Sequence, residues 1–177
     1  MRTSACSRIL SEFVPDYDAT SVAKLKAAGA IILGKAVTTE FASSDPSPSL
    51  NPWNLNHTPG GSSSGSSVAV ATGMCTAALG SQTGGSTCRP AAYNGIVGLK
   101  PTYGRVSKHG VVPLSWSLDT VGILVRSVED AALMLQVMSG HDPLDPHSAN
   151  EPVPNFVEQM NLSLIHISEP TRRTPIS

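Results

Sequence analysis

The sequence has few charged and few aromatic residues, at 14% and 5% of the chain. It has no cluster of lysines and arginines, and its formal net charge is -1. Nothing therefore predicts direct binding of nucleic acid through a basic face. No apolar run reaches the roughly 18 residues of a membrane-spanning helix, and the N-terminus lacks a signal-peptide pattern. These absences predict a soluble, cytoplasmic protein that does not bind a membrane.

Cysteine is also scarce. The three cysteines, Cys6, Cys75 and Cys88, are odd in number and unevenly spaced, and no CxxC pair occurs. This pattern is unlike that of a disulfide framework or a structural zinc site. A reducing cytosol fits it best.

Apolar residues make up 40% of the 177 positions, which is typical of a globular domain or a large part of one. Residues 17–29 predict a helix that Asp18 caps, that buries Val22, Leu25 and Ala28, and that Gly29 ends. Residues 30–33, "AIIL", then predict a short buried strand.

Further elements follow along the chain. Small apolar residues predict a closely packed helix over 65–72, and residues 77–82 and 95–99 predict strands. A helix is predicted over 127–140, with Ser127 as its N-cap and Gly140 at its end. This alternation of helices and strands favours an α/β fold.

Two turns rich in glycine and serine lie next to apolar segments: "TPGGSSSGSSVAVATG" (58–73) and "GSQTGGSTCRP" (80–90). They are predicted to form two walls of one site. A flexible linker does not explain the apolar flanks, and a P-loop requires a Gly-Lys-Ser/Thr sequence that is absent. Residues 61–65 match a nucleophile elbow, but the chain before them reads as a loop rather than a strand. The S-x-x-K match at residues 21–24 lies on a helix, where Lys24 is expected on the solvated face.

The chain resembles the amidase signature family, serine hydrolases of carboxamides, from about residue 3 to residue 150. Four stretches carry the resemblance: "YDATSVAKLKAAGAIILGKAVTTEFA", "NPWNLNHTPGGSSSGSSVAVATG", "GSQTGGSTCRPAAYNGIVGLKPTYGRVS" and "SLDTVGILVRSVEDAALML". The resemblance implies an α/β fold in which helices cover a mixed β-sheet.

The resemblance also implies a Ser-Ser-Lys triad, in which Lys35 is the base, Ser62 the bridging serine and Ser86 the nucleophile. Ser62 is expected to follow a cis peptide bond. A serine hydroxyl attacks a carbonyl only when a neighbouring base takes its proton. A lysine can do so only when it is neutral, a form that burial favours. Lys35 is expected to be buried, because it follows the apolar residues 30–33.

The peptide N–H groups of Thr83, Gly84, Gly85 and Ser86 are expected to form the oxyanion hole. Preorganised donors of this kind stabilise the charge that develops in the transition state. This chemistry requires no metal or organic cofactor, and its substrate would be a small-molecule amide.

Three further residues outside the proposed triad have predicted roles. Arg89 is expected to pair with a carboxylate and brace its loop, or to lie at the surface. Asp119 is expected to accept structural hydrogen bonds, and Cys88 to be a small packing residue.

Two functions within the family remain open. Gln82 stands where many members have Asp, and it favours a stand-alone amidase. The stretch "LKPTYGRVSKHGVVPLSWSLD" favours the A-subunit of the glutamyl-tRNA(Gln) amidotransferase, whose partners are subunits B and C. A third possibility is an inactive fragment.

The family's domains are longer than this chain, so residues 1–161 are predicted to be a partial domain that lacks its N- and C-terminal parts. Residues 162–177 are predicted to be a foreign tail. The stretch "LSLIHISEPTR" within that tail resembles the translation of a sequencing adapter.

Overall fold

The computed structural model describes residues 1–43 and 46–160. Within these ranges the chain forms five α-helices and three β-strands, in the order α1 (Thr20–Ala27), α2 (Ser64–Ala71), β1 (Ala77–Gln82), α3 (Cys88–Asn94), β2 (Val97–Leu99), β3 (Thr120–Val125), α4 (Val128–Met138) and α5 (Phe156–Gln159). The foreign tail predicted over residues 162–177 lies outside the described residues.

The three strands form one sheet with β3 at its centre. β1 runs antiparallel to β3, with Ala77 opposite Val125 and Gln82 opposite Thr120, and β2 is antiparallel to β3 on its other side. All six residues of β3 are buried. β3 is not predicted from the sequence, because a strand buried on both faces shows no alternation of polar and apolar residues.

Helices cover both faces of the sheet. Successive side chains of β3 point to opposite faces, so this one strand contributes to two apolar clusters. The larger cluster joins β3 to α1 and α4 through Leu25, Val106, Val121, Ile123, Val125, Ala131, Leu135 and Met138. In the smaller cluster, Leu124 packs against Val70 of α2 and Ala91 of α3. The α/β class predicted from the sequence is confirmed.

The predicted start of helix α4 is confirmed. Ser127 is the N-cap, and its side chain accepts a hydrogen bond from the N–H of Asp130 at 3.1 Å. The helix ends at Met138, and Gly140 follows with a φ of 110°. α4 has 11 residues, and no helix among the described residues is long and apolar enough to cross a bilayer.

Helix α1 differs from its prediction in two respects. Asp18 is not the cap, because Ala19 occupies that position; Asp18 instead pairs with Lys26 across 2.7 Å. The helix buries Leu25 as predicted, but Ala28 lies past its last residue and is exposed.

The prediction that Lys24 lies on a solvated helix face is wrong. Its Nζ donates to the carbonyl oxygens of Met138 at 3.3 Å, Ser139 at 2.8 Å and Gly140 at 3.5 Å. The last carbonyls of a helix have no partner within it, and a cation there is favourable. Lys24 therefore joins α1 to the end of α4.

The strand predicted over residues 30–33 is also wrong. Residues 30–37, the exposed segment, form neither helix nor strand, and the side chains of Ile31 and Leu33 are 85% and 72% exposed. A short apolar run becomes a strand only when a neighbouring strand bonds to it, and none of the described residues does so here.

The exposed segment leads to a prediction about the chain on its own. Expressed as residues 1–177, the protein should show no cooperative thermal transition and should bind a hydrophobic dye, because large apolar side chains remain in water. Replacing Ile31 and Leu33 with serine should reduce the dye binding. A sharp melting transition without dye binding would contradict the prediction.

Candidate active site

The structure brings the two serine turns together. We call residues 60–63 the first turn and residues 83–87 the second turn. The N–H of Ser63 donates to the carbonyl oxygen of Ser86 at 3.1 Å. The guanidinium of Arg89 donates to the carbonyl oxygen of Gly61 from Nε at 3.1 Å and from Nη2 at 2.7 Å. The residues on either side of Ser62 are therefore hydrogen-bonded to the second turn and to Arg89 of α3.

Ser62 lies at the centre of the first turn and is 1% exposed. Its peptide bond with Gly61 is cis, as the resemblance implies. Its carbonyl oxygen accepts from the N–H of Thr39 at 3.1 Å and from the hydroxyl of Thr38 at 2.9 Å. Its own hydroxyl, by contrast, is buried without a hydrogen-bond partner among the described residues. Such groups are uncommon in a folded protein, and the described residues hold three others: Oγ1 of Thr87, Oδ1 of Asn94 and Oγ of Ser139.

Ser86 is partly exposed in the second turn, which follows β1 directly. The N–H groups of the next two residues, Thr87 and Cys88, both donate to Oε1 of Gln82 at 2.9 Å. Within the part of the chain that the structure describes, the N–H groups of residues 83–86 donate no hydrogen bond. These four N–H groups are the ones that the resemblance implies for the oxyanion hole.

Lys35 does not lie where the sequence predicts. It belongs to the exposed segment, and its side chain is exposed rather than buried. The prediction depended on a buried strand at residues 30–33, and that strand does not form. Lys35 donates no hydrogen bond to Ser62 or Ser86 among the described contacts.

The backbone that follows Lys35 is nevertheless fixed to the first turn. The carbonyl oxygen of Val37 accepts from the N–H of Gly65 at 2.9 Å, and Thr39 binds Ser62 as described. A Cβ at Gly65 would lie 2.7 Å from the backbone of Val37. This close approach requires glycine and holds the chain two residues beyond Lys35 against the start of α2.

Most of the other serines have structural partners. The hydroxyl of Ser63 accepts from the N–H of Ser81 at 3.1 Å, and that of Ser66 donates to the carbonyl of Leu79 at 2.8 Å. These small side chains let α2 pack closely on β1. The approach is so close that a Cβ at Gly80 would lie 2.5 Å from Oγ of Ser63. The abundance of serine thus serves the contact between α2 and β1 as well as the site.

The predictions for Asp119, Arg89 and Cys88 have different outcomes. Asp119 is confirmed as a structural acceptor: it receives the N–H groups of Leu114 at 2.7 Å and Ser115 at 2.9 Å, and the hydroxyl of Thr83. Arg89 is exposed, as the second of its two predicted alternatives has it, and it also braces the loop through a carbonyl rather than a carboxylate. Cys88 is exposed and is not a packing residue.

Gln82 has a structural role in the site, and its departure from the family pattern does not reveal that role. Its side chain reaches two N–H groups five and six residues along the chain and caps α3. A cap normally comes from the residue just before the helix, and Thr87 in that position provides no side-chain bond. No local pattern could therefore have revealed it.

Comparison with known proteins places this geometry in a family. The sequence model of the Amidase family matches residues 1–166. The glutamyl-tRNA(Gln) amidotransferase A-subunit of Geobacter metallireducens is 54% identical over 164 residues, which cover 89% of this chain and 34% of that protein.

Solved structures agree in fold. Peptide amidase from Stenotrophomonas maltophilia superposes with a TM-score of 0.86 at 44% identity, covering 90% of this chain and 36% of that one. The glutamyl-tRNA(Gln) amidotransferase A-subunit of Thermotoga maritima gives a TM-score of 0.81 at 44% identity, covering 86% and 35%. The chain belongs to the amidase family, and it spans about a third of the length of the curated relatives it matches.

The cap formed by Gln82 can be tested by substitution. Gln82→Leu should lower the free energy of unfolding by about 1–3 kcal/mol, because the buried N–H of Thr87 and the partly buried N–H of Cys88 lose their acceptor. Denaturant unfolding of a full-length polypeptide that contains this chain would measure the loss of unfolding free energy. Gln136 is the matched control: it accepts a single N–H, that of Phe156 at 2.8 Å, and Gln136→Leu should cost less. Equal losses would contradict the prediction.

Proposed function

We propose that this chain carries the catalytic residues of an amidase that hydrolyses the C–N bond of a carboxamide. The observation that carries the proposal is the hydroxyl of Ser62, which is buried, has no partner among the described residues, and lies in a turn bonded to that of Ser86. A buried hydroxyl of this kind suits a proton relay, because a relay must exchange hydrogen-bond partners during the reaction. Membership of the amidase family supports the same assignment.

In the proposed mechanism, Oγ of Ser86 attacks the amide carbonyl carbon and forms a C–O bond. Its proton passes to Ser62, whose own proton passes to neutral Lys35. The N–H groups of residues 83–86 stabilise the negative charge on the carbonyl oxygen. The relay then runs in reverse and protonates the leaving nitrogen as the C–N bond breaks. Water hydrolyses the resulting acyl-enzyme by the same route and frees Ser86.

This mechanism requires Lys35 to be buried, whereas it is exposed in the structure. The chain spans 34% of its relative's length, and we propose that polypeptide outside this chain covers the exposed segment. Val37 and Thr39 fix the backbone next to Lys35 against the first turn. Covering the segment would therefore remove Lys35 from water without moving its attachment to the site.

The partial domain over residues 1–161 and the foreign tail over residues 162–177 remain part of this proposal. On this basis the 177 residues alone should be inactive, and the active protein should be a longer polypeptide. The three cysteines of this chain form no disulfide in the structure, which supports a cytosolic location.

Substitution of the three proposed catalytic residues tests the function. In a full-length polypeptide that contains this chain, Ser86→Ala and Lys35→Ala should each lower kcat/KM for amide hydrolysis by about 10⁴-fold or more, since nucleophile and base act as a unit. Ser62→Ala should leave weak turnover, reduced about 10²- to 10⁴-fold, because it removes only a proton relay. Ammonia release measures all three.

The matched controls are Ser117→Ala and Lys26→Ala. Both residues are exposed, and Lys26 pairs with Asp18, so neither substitution should change kcat/KM. An active Ser86→Ala variant would refute the proposed nucleophile.

A second function is supported by the 54% identity with the glutamyl-tRNA(Gln) amidotransferase A-subunit. Such a protein would hydrolyse glutamine and pass ammonia to subunits B and C. Gln82, by contrast, favours a stand-alone amidase. Its amide oxygen caps α3, an acceptor role that an aspartate could also fill, so this residue separates the two functions less well than the sequence suggests.

Substrate choice separates the two functions. Ammonia release from simple amides such as propionamide or benzamide, without partner proteins, is expected of the stand-alone amidase. Release from glutamine that requires subunits B and C is expected of the amidotransferase. The same Ser86→Ala variant should be inactive in either case.

A further inference from the structure

Arg89 makes an unusual connection between the two serine turns. Its guanidinium places two donors, Nε and Nη2, on the single carbonyl oxygen of Gly61 at 3.1 and 2.7 Å. Its backbone N–H donates to the carbonyl oxygen of Gly85 at 2.8 Å. One residue therefore holds the backbone directly before Ser62 and the backbone directly before Ser86.

These contacts restrict how Ser62 can turn. The carbonyl of Gly61 belongs to the same rigid plane as the N–H of Ser62, and the two donors of Arg89 fix the direction of that carbonyl. On the other side of Ser62, the N–H of Ser63 is bonded to the carbonyl of Ser86 at 3.1 Å. Ser63 is thus attached to the second turn and Gly61 to Arg89 of α3, so the backbone of Ser62 has little freedom to move relative to Ser86.

The contact requires the shape of arginine as well as its charge. Arg89 forms no ion pair with the described carboxylates, so its charge is not used to neutralise an acid. The planar guanidinium offers a fixed fork of donors, whereas lysine offers a single mobile ammonium. A lysine here would keep the charge but could not hold one oxygen from two fixed directions.

We propose that Arg89 is a positioning residue that sets the hydroxyl of Ser62 against that of Ser86. This assignment rests on the proposed function. In the proposed mechanism Arg89 does not touch the substrate. It acts through the carbonyl of Gly61, and it therefore affects the proton relay rather than the binding of the amide.

The experiment compares Arg89→Ala and Arg89→Lys with wild type in a full-length polypeptide that contains this chain. Misplacement of a reacting group by about 1 Å can cost up to roughly 100-fold in rate, so kcat should fall about 10- to 100-fold in Arg89→Ala. Arg89→Lys should recover only part of this loss. KM should change less than about threefold, because binding precedes the relay.

Arg105 provides the matched control. Its Nη1 also donates to a backbone carbonyl, that of Pro152 at 2.8 Å, in a loop outside the two serine turns. Arg105→Ala should leave both kcat and KM unchanged. Added guanidinium ion should raise the kcat of Arg89→Ala, since it can occupy the vacated place, and should not affect Arg105→Ala. A merely structural role for Arg89 would show no such selective rescue.

Each outcome either supports or overturns the proposed role of Arg89. A wild-type kcat in Arg89→Lys would overturn the assignment, and this variant keeps the test valid if Arg89→Ala fails to fold. A loss confined to KM, or an equal loss in Arg105→Ala, would also overturn it. Equal turnover by wild type and Ser86→Ala is a different result: it would overturn the proposed function, and the role of Arg89 with it.

Discussion

The site depends on the junction between the first turn and the second turn, which are distant from each other in the chain. Ser63 and Arg89 hold this junction through bonds to the carbonyl oxygens of Ser86 and Gly61. All of these bonds use backbone carbonyls, whose directions the chain fixes. None of these bonds uses the hydroxyl of Ser62 or Ser86, the two groups to which the proposed function assigns the chemistry.

The rest of the fold supports this junction. β3 is buried on both faces and aligns β1, which leads directly into the second turn. Gln82, the last residue of β1, caps α3 on the other side of Ser86. Asn94, at the end of α3, donates to the carbonyl of Pro59 at 2.7 Å and to the hydroxyl of Ser67 at 2.9 Å. The two turns are thus fixed at both ends.

The sequence predicts helices and strands well where a local signal exists. Ser127 caps α4 as predicted, and the small residues of 65–72 predict the closely packed α2. Prediction from the sequence fails where an element or a side chain depends on residues that are distant in the chain. The strand at residues 30–33 needs a neighbouring strand that the described chain does not supply, and β3 carries no alternation by which to recognise it. Lys24 has the pattern of a surface residue until the end of α4 is placed next to it.

Sequence by itself determined the family, the α/β class and the order of the proposed catalytic residues, because these are written in ordered motifs along the chain. Only the tertiary structure decided which bonds join the two serine turns, that Arg89 binds the carbonyl of Gly61, and that Lys35 is exposed in this part of the protein. The physical reason is that burial and hydrogen bonding depend on residues distant in the chain. Their distances cannot be read from local pattern.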